Sequence, residues 1–294
     1  SVVLVAPRGP ARRAAALTQA LTGDVSSVPV VIAAHTPRWV GPLDVVLVAT
    51  DDPGDAELAE SVARAASRGA EVVLATPEEG LLPPAAAGRA LLLPPRVPVP
   101  EGMGLLRFVA AGLAVLAAVG VCETPNLAVL ADAIDAEAEG NQAGRDVLAN
   151  PAKSLALRCA GRRLLIAADS PSAGAVAAHL AAALLAHAGV VTTPVELAEA
   201  LVATTAAASS SDSLFHDREI DGPLASEPLR VLLLATTAGL PQLQARSAGL
   251  ADMDVTVGAI ETGVLQGDPI AELLVLTTRC VTAAVYLGLA TDHR

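Results

Sequence analysis

The stretch from Leu43 to Pro100 constrains the fold of this chain more than any other. Val45 to Ala49 is a short apolar run, the pattern of a parallel strand buried on both faces. A polar turn, Thr50 to Asp55, carries Pro53 and Gly54. Ala56 to Ser67 then supplies helix formers, with Leu58, Val62 and Ala66 near one face and Glu57, Glu60 and Arg64 on others. Gly69 is placed to stop that helix, and Val72 to Ala75 reads as the next buried strand. Strand, loop, helix and strand in that span make one βαβ unit. In an open α/β sheet the loop after the first strand is where a ligand binds.

The pattern recurs along the chain. Val2 to Ala6 reads as a strand, followed by Pro7-Arg8-Gly9-Pro10 and a helix to about Leu21. Pro29 to Ala33 and Leu91 to Leu93 read as further strands, and Phe108 to Val121 as a core helix too short to span a bilayer. Asp132 to Asn150 is acidic and reads as a connection between halves. Asn150-Pro151-Ala152-Lys153 then starts a helix to about Cys159, with Asn150 as cap and Pro151 at the first helical position. The second half repeats the plan. Strands are expected at Arg163–Ala168, Leu229–Ala235 and Val255–Glu261, and helices at Ala175–His187, Leu240–Ala248 and Glu272–Leu289. Ala203 to Glu227 is low in complexity and reads as a mobile insertion. The reading is α/β, with domains at residues 1–145 and 146–294.

Composition narrows the partners. The chain has 294 residues and a net charge of −12, and Lys153 is its one lysine. An acidic chain without a basic cluster argues against nucleic acid and anionic membrane. Aromatic residues are 1% of the total, so the core must be built of Ala, Val and Leu. The arginine and alanine bias is a high-GC coding signature. Cys122, Cys159 and Cys280 are odd in number and far apart, which suits buried thiols in a reducing cytoplasm. The five histidines show no metal-ligand spacing, and Ser1 leads directly into a strand without a signal peptide. No strand is followed by G-x-G-x-x-G, which disfavours a dinucleotide-binding dehydrogenase. No cofactor is implied.

The order of these segments resembles the sugar isomerase (SIS) domain, and over nearly the whole chain the bifunctional phosphoglucose/phosphomannose isomerase family, here a degenerate member of actinobacterial type. Pro94-Pro95-Arg96 before a long apolar helix is similar to that family's P-x-R element, and Asn150-Pro151-Ala152-Lys153 to its N-P-A-K. Glu196-Leu197-Ala198-Glu199 is similar to its E-L-P-E, and Tyr286-Leu287 to part of its closing segment. The resemblance implies two three-layer α/β/α subdomains with parallel sheets, a homodimer in the cytoplasm, and a sugar phosphate or other carbohydrate derivative as ligand. It implies Arg96 facing the substrate, and Thr50 and Gly54 in the substrate loop. His216 matches the ring-opening histidine, and Glu196 is a displaced candidate for the base that isomerisation needs.

The departures are equally specific. The family's S-x-S-G-N-T phosphate loop is here Ala49-Thr50-Asp51-Asp52-Pro53-Gly54-Asp55. Its carboxylates repel a dianion, and one of them is expected to cap the helix that follows. The position of the family's base falls on Ala186 or His187, and its closing lysine has no counterpart. These departures describe a degenerate carbohydrate-binding or interaction protein of hexose and mannose phosphate metabolism. The alternative is an active glucose 6-phosphate/mannose 6-phosphate isomerase with a rearranged site.

Overall fold

The apolar runs become parallel strands in a computed structural model that describes residues 1–97, 99–100, 102–123, 125–211, 229–250, 252–260 and 263–291, with 206–211 described as backbone only. The chain divides into two units, Ser1–Leu127 and Ala128–Arg294. The first contains β1 (Val2–Val5), α1 (Gly9–Thr22), β2 (Val30–Ala33), β3 (Val45–Ala49), α2 (Ala56–Ser67) and β4 (Glu71–Ala75). It continues through α3 (Leu82–Ala85), β5 (Ala90–Leu92) and α4 (Leu105–Ala118). Its strands are all parallel, in the order β2-β1-β3-β4-β5. The order reverses between β1 and β3, so the crevice beyond their carboxyl ends is the switch point of the sheet.

Period-two alternation sends each strand's residues to two apolar faces. Val3, Val5, Val46, Val48, Val72 and Leu74 pack with Leu58, Val62, Ala65 and Ala66 of α2 and with Leu82. On the other face Leu4, Leu47 and Ala49 meet Ala11, Ala15 and Thr18 of α1 and Phe108 and Gly112 of α4. Val3, Val5, Val46 and Val48 are 0% exposed, each burial contributing about 1.5–2 kcal/mol. With so few aromatic rings the layers must come close. A Cβ at Gly112 would stand 2.9 Å from the Thr18 side chain, so the α1–α4 contact requires glycine there.

The second unit opens with α5 (Leu127–Gly140), which begins one residue before the unit boundary. A 3-10 turn at Val147–Ala149, α6 (Pro151–Cys159), β6 (Arg163–Ala168), α7 (Pro171–Ala188), β7 (Thr193–Glu196) and α8 (Leu197–Ser211) follow. The unit closes with β8 (Leu229–Ala235), α9 (Leu240–Ser247), β9 (Met253–Val257) and α10 (Pro269–Thr291). The strands are parallel in the order β7-β6-β8-β9, the arrangement of the first four strands of unit one. Leu197, Ala200 and Leu243 cover one face, against Ala167, Val231, Leu233 and Ala235. The helices α7 and α10 lie against each other and contact the strands. Both are long and apolar enough to cross a membrane by length and composition, yet they form the core of this unit. α10 carries a buried Glu272 that accepts a bond from the Thr237 N–H at 2.6 Å.

The strand expected over Val255–Glu261 is β9, Met253–Val257, the strand β7 was not read from the sequence, and two further segments change character. The first part of the acidic stretch taken as a connection, through Gly140, belongs to helix α5, because its Ala and Glu residues are strong helix formers. The first part of the stretch taken as mobile, through Ser211, belongs to α8. Glu199 starts that helix by accepting the Glu196 N–H at 3.0 Å, the reach-back half of a capping box.

Candidate functional site

The β3–α2 loop of unit one is where a ligand of an open α/β sheet would meet backbone N–H groups, and its own side chains already use three of them. Asp55 is the N-cap of α2 and accepts the Leu58 N–H at 3.0 Å. Asp52 accepts the Gly54 N–H at 3.0 Å, and the Asp52 N–H donates to the Thr50 hydroxyl at 3.0 Å. Thr50 and Gly54, the two substrate-loop residues read from the sequence, are thus bonded within the loop. The expected capping of α2 by a carboxylate falls to Asp55.

Two arginines that the sequence reading did not place here neutralise much of the acidic charge. Arg8, from the β1–α1 turn, donates to Asp52 at 3.1 Å and to Asp55 at 3.2 Å. Arg107, in the first turn of α4, donates to Asp51 at 2.7 Å and lies 4.2 Å from the Phe108 ring centroid. Their sequence signals were slight: Arg8 sits beside a glycine after a strand, and Arg107 opens an apolar helix. The strand order brings Arg8 to the loop, since β1 and β3 are neighbours at the switch point, and α4, packed on α1 and against β3, brings Arg107. Three carboxylates against two guanidiniums leave a local excess of one negative charge.

Unit two has a cleft of about 540 Å³ at the carboxyl ends of β6 and β7. Its wall includes Asp169, Ser170, Gly174, Glu196, Glu199 and Arg246. Ser170 caps α7, its Oγ accepting the Ala173 N–H at 3.2 Å, and Pro171 at the first helical position has no N–H to offer. Arg246 pairs with Asp169. Glu199 is occupied with the Glu196 N–H, whereas the exposed Glu196 carboxylate has no bonded partner among the described residues. The Ala173 N–H, the Glu196 N–H and the Arg246 guanidinium are used, and the Glu196 carboxylate is left as an acceptor among the described residues.

The other residues read from the sequence fall as follows. Arg96 is exposed in the loop after β5, the edge strand, and pairs with nothing among the described residues. His216 lies outside the described residues. Ala186 and His187 sit at the carboxyl end of α7, about 24 Å along the helix from its start. Ser170, at the other end of that helix, lines the cleft, so the aligned position of the base is remote from the cleft. Glu196 does line it.

Asn150-Pro151-Ala152-Lys153 is structural in this molecule. Asn150 is 0% exposed; its Oδ1 accepts the Lys153 N–H at 2.9 Å and its Nδ2 donates to the Gln142 carbonyl at 3.0 Å. The Lys153 ammonium donates to the carbonyls of Ala143 and Arg145 at 2.7 and 2.8 Å. Burial pushes the Cys159 thiol up to about 11 and raises that of Cys280, so neither is a nucleophile at neutral pH. Among the described residues no cluster of three His, Cys, Asp or Glu residues could hold a metal.

Comparison with known proteins bears on the fold. No family model and no curated sequence matches the chain. Solved structures do. Tagatose-6-phosphate ketose/aldose isomerase from Escherichia coli aligns with TM-score 0.64 at 12% identity, over 99% of this chain and 82% of that one. Glucosamine-6-phosphate deaminase from Thermotoga maritima aligns with TM-score 0.60 at 11% identity, over 99% and 84%. The C-terminal domain of glucosamine-fructose-6-phosphate aminotransferase from Francisella tularensis gives TM-score 0.59 at 10% identity, over 99% and 83%. At these identities the likeness is one of fold, and the fold of this chain is the two-sheet α/β fold of SIS-type phosphosugar isomerases.

Proposed function

We propose that this protein is a cytoplasmic, homodimeric carbohydrate-derivative-binding protein on the SIS-type fold, without hexose phosphate isomerase turnover. One observation carries the reading: Asp51, Asp52 and Asp55 fill the β3–α2 loop, with the N–H groups of Asp52, Gly54 and Leu58 taken by its own side chains and its charges paired to Arg8 and Arg107. A phosphate entering there must displace these bonds and face carboxylates. The fold supports a sugar-related ligand; hexose and mannose phosphate metabolism is its proposed setting, through the resemblance at Arg96, Asn150–Lys153 and Glu196–Glu199. The test pairs a coupled assay on glucose 6-phosphate and mannose 6-phosphate with a thermal-shift screen of sugars and sugar phosphates, since a true ligand must stabilise the native state by mass action. Turnover at background, with stabilisation by at least one carbohydrate, is the expected result.

A second reading has its own observation. Arg8 and Arg107 are cations already at the loop, and they could release their aspartates to grip a phosphate. Robust turnover of the unmodified protein, abolished by Arg8→Ala, Arg96→Ala or His216→Ala, would establish this isomerase in place of the first reading.

A further inference from the structure

We infer that the unit-two cleft is a binding site for a small polyhydroxylated ammonium, an amino sugar without a phosphate, with Glu196 as the carboxylate that meets its nitrogen. The inference rests on the carbohydrate-binding reading above and names the site and the ligand class. The cleft has the volume of a small-molecule pocket, about 540 Å³, and lies at the carboxyl end of a parallel sheet.

Its charge opposes a phosphate for a local reason. In the first turn of α7 Pro171 lacks an N–H and Ser170 takes that of Ala173, and at the start of α8 the carboxylates of Glu196 and Glu199 stand where an anion would meet backbone N–H groups. Arg246 is the cation of the wall, and Asp169 holds it. What the cleft still offers is acceptors. Glu196 is unpaired among the described residues, and Glu199 binds the Glu196 N–H through Oε2. The Ser170 hydroxyl, also in the wall, adds a further acceptor and donor. With Asp169 and Arg246 cancelling, Glu196 and Glu199 leave the wall negative. A ligand matched to this surface donates many hydrogen bonds and carries a positive charge. Hydroxyls along a sugar ring and one ammonium meet both demands. The apolar floor from Gly174, Ala177 and Ala178 suits the C–H face of a ring.

The test uses the full chain and titration calorimetry at pH 6.5, with glucosamine, glucose, glucosamine 6-phosphate and putrescine as probes. Glucosamine is expected to bind, with glucose and the phosphorylated form each at least tenfold weaker. Glu196→Gln, an exposed change that keeps the backbone bond to Glu199, should weaken glucosamine at least tenfold and leave glucose unaltered. Arg246→Gln frees Asp169 and should tighten glucosamine severalfold, so affinity moves in opposite directions in the two variants. Glucosamine binding that is equal in wild type and Glu196→Gln would overturn the site while leaving the carbohydrate reading intact. Putrescine binding as well as glucosamine overturns the polyol part of the assignment. Absence of binding by every sugar, in a chain that is folded by circular dichroism, overturns both readings.

Discussion

Arg279 of α10 holds Glu137 of α5 with two parallel bonds, Nε to Oε1 and Nη2 to Oε2, each 2.8 Å. The side chains are 15% and 9% exposed, and Arg279 also donates to the Val257 carbonyl at 2.8 Å. Burial works to lower the Arg279 pKa, but the Glu137 hydrogen bonds and charge outweigh it and the net shift is upward. The pair ties α5 to α10 and β9. Arg279→Met leaves a carboxylate buried without its cation and should cost about 3 kcal/mol in urea unfolding. The double variant with Glu137→Leu should recover most of that loss. A single variant within about 0.5 kcal/mol of wild type would show that the pair is not buried in solution.

Asn150 makes a second, independent tie. Removing its side chain loses the α6 cap and the bond to Gln142 and leaves a buried void. A lost cap costs roughly 1 kcal/mol, and the lost bond to the Gln142 carbonyl adds about 0.5–1.5 kcal/mol. Asn150→Ala is therefore expected to lower the urea midpoint clearly, while Lys153→Met, whose ammonium bonds are exposed, should have a smaller effect. Equal midpoints for the two variants would contradict the cap's leading role.

Close helix approach gives a sharper case. In an exposed helix, Gly→Ala stabilises by about 1 kcal/mol. At Gly288, within α10, an added Cβ would overlap the carbonyl oxygen of His187 at the end of α7. Since α7 and α10 build the core of unit two, they would have to separate. Gly288→Ala should destabilise by about 1–3 kcal/mol, the cost of overpacking. A gain in stability by calorimetry would mean the two helix ends are not in contact.

The legible parts of the sequence were those where one local signal sufficed. Val45–Ala49, Ala56–Ser67, Arg163–Ala168 and Leu229–Ala235 have the extents read from their apolar runs and breakers. β7 gave no such signal: Thr193–Glu196 is polar and contains Pro194, which an edge strand tolerates. The α8 segment looked like a loop because Ala, Ser and Thr carry no periodicity, although alanine is the best helix former. The candidate site was half legible. Asp55 as cap followed from its place before a helix, but its partners did not. Arg8 lies 44 residues before Asp52 and Arg107 lies 56 beyond Asp51, and only the strand order and the packing of α4 bring them to one loop.

Buried thiols predict a pH dependence whose sign can be worked out. Burial raises the folded pKa of Cys159 to about 11, above its ordinary value of 9.0. Between those values the unfolded thiol ionises and the folded one does not. The stabilising contribution is thus whole below about pH 9 and is lost as pH rises toward 11, at up to ~1.4 kcal/mol per unit. Urea unfolding at pH 8 and pH 10 should show Cys159→Ala losing less stability with pH than wild type. Iodoacetamide at pH 8 should label the half-buried Cys122 well before Cys159 or Cys280. Early labelling of Cys280 would contradict its burial.

The acidic loop supplies the most direct test of why this molecule should not hold a bare phosphate. In wild type, Asp55 occupies the helix N-terminal donor of Leu58, Asp52 that of Gly54, and the arginines are bonded to carboxylates. An anion gains about 1.5–3 kcal/mol per charge-assisted bond, but here each bond must first be broken elsewhere, and each unmatched carboxylate opposes it by about 1 kcal/mol or more. Sulfate and glucose 6-phosphate at 10 mM are therefore expected to leave the wild-type melting temperature unchanged. Replacing Asp51, Asp52 and Asp55 together by Ser reverses the charge terms. Serine caps a helix as well as aspartate does, so α2 should keep its start. The three carboxylates vanish while Arg8 and Arg107 stay, turning a small negative excess into two uncompensated cations beside a helix N-terminus. That variant should bind sulfate in the millimolar range and melt several degrees higher in its presence. Adding Arg8→Ala should remove most of the gain. A triple variant that folds with unaltered far-UV dichroism and still ignores sulfate would show that the aspartates are not what closes this loop to anions.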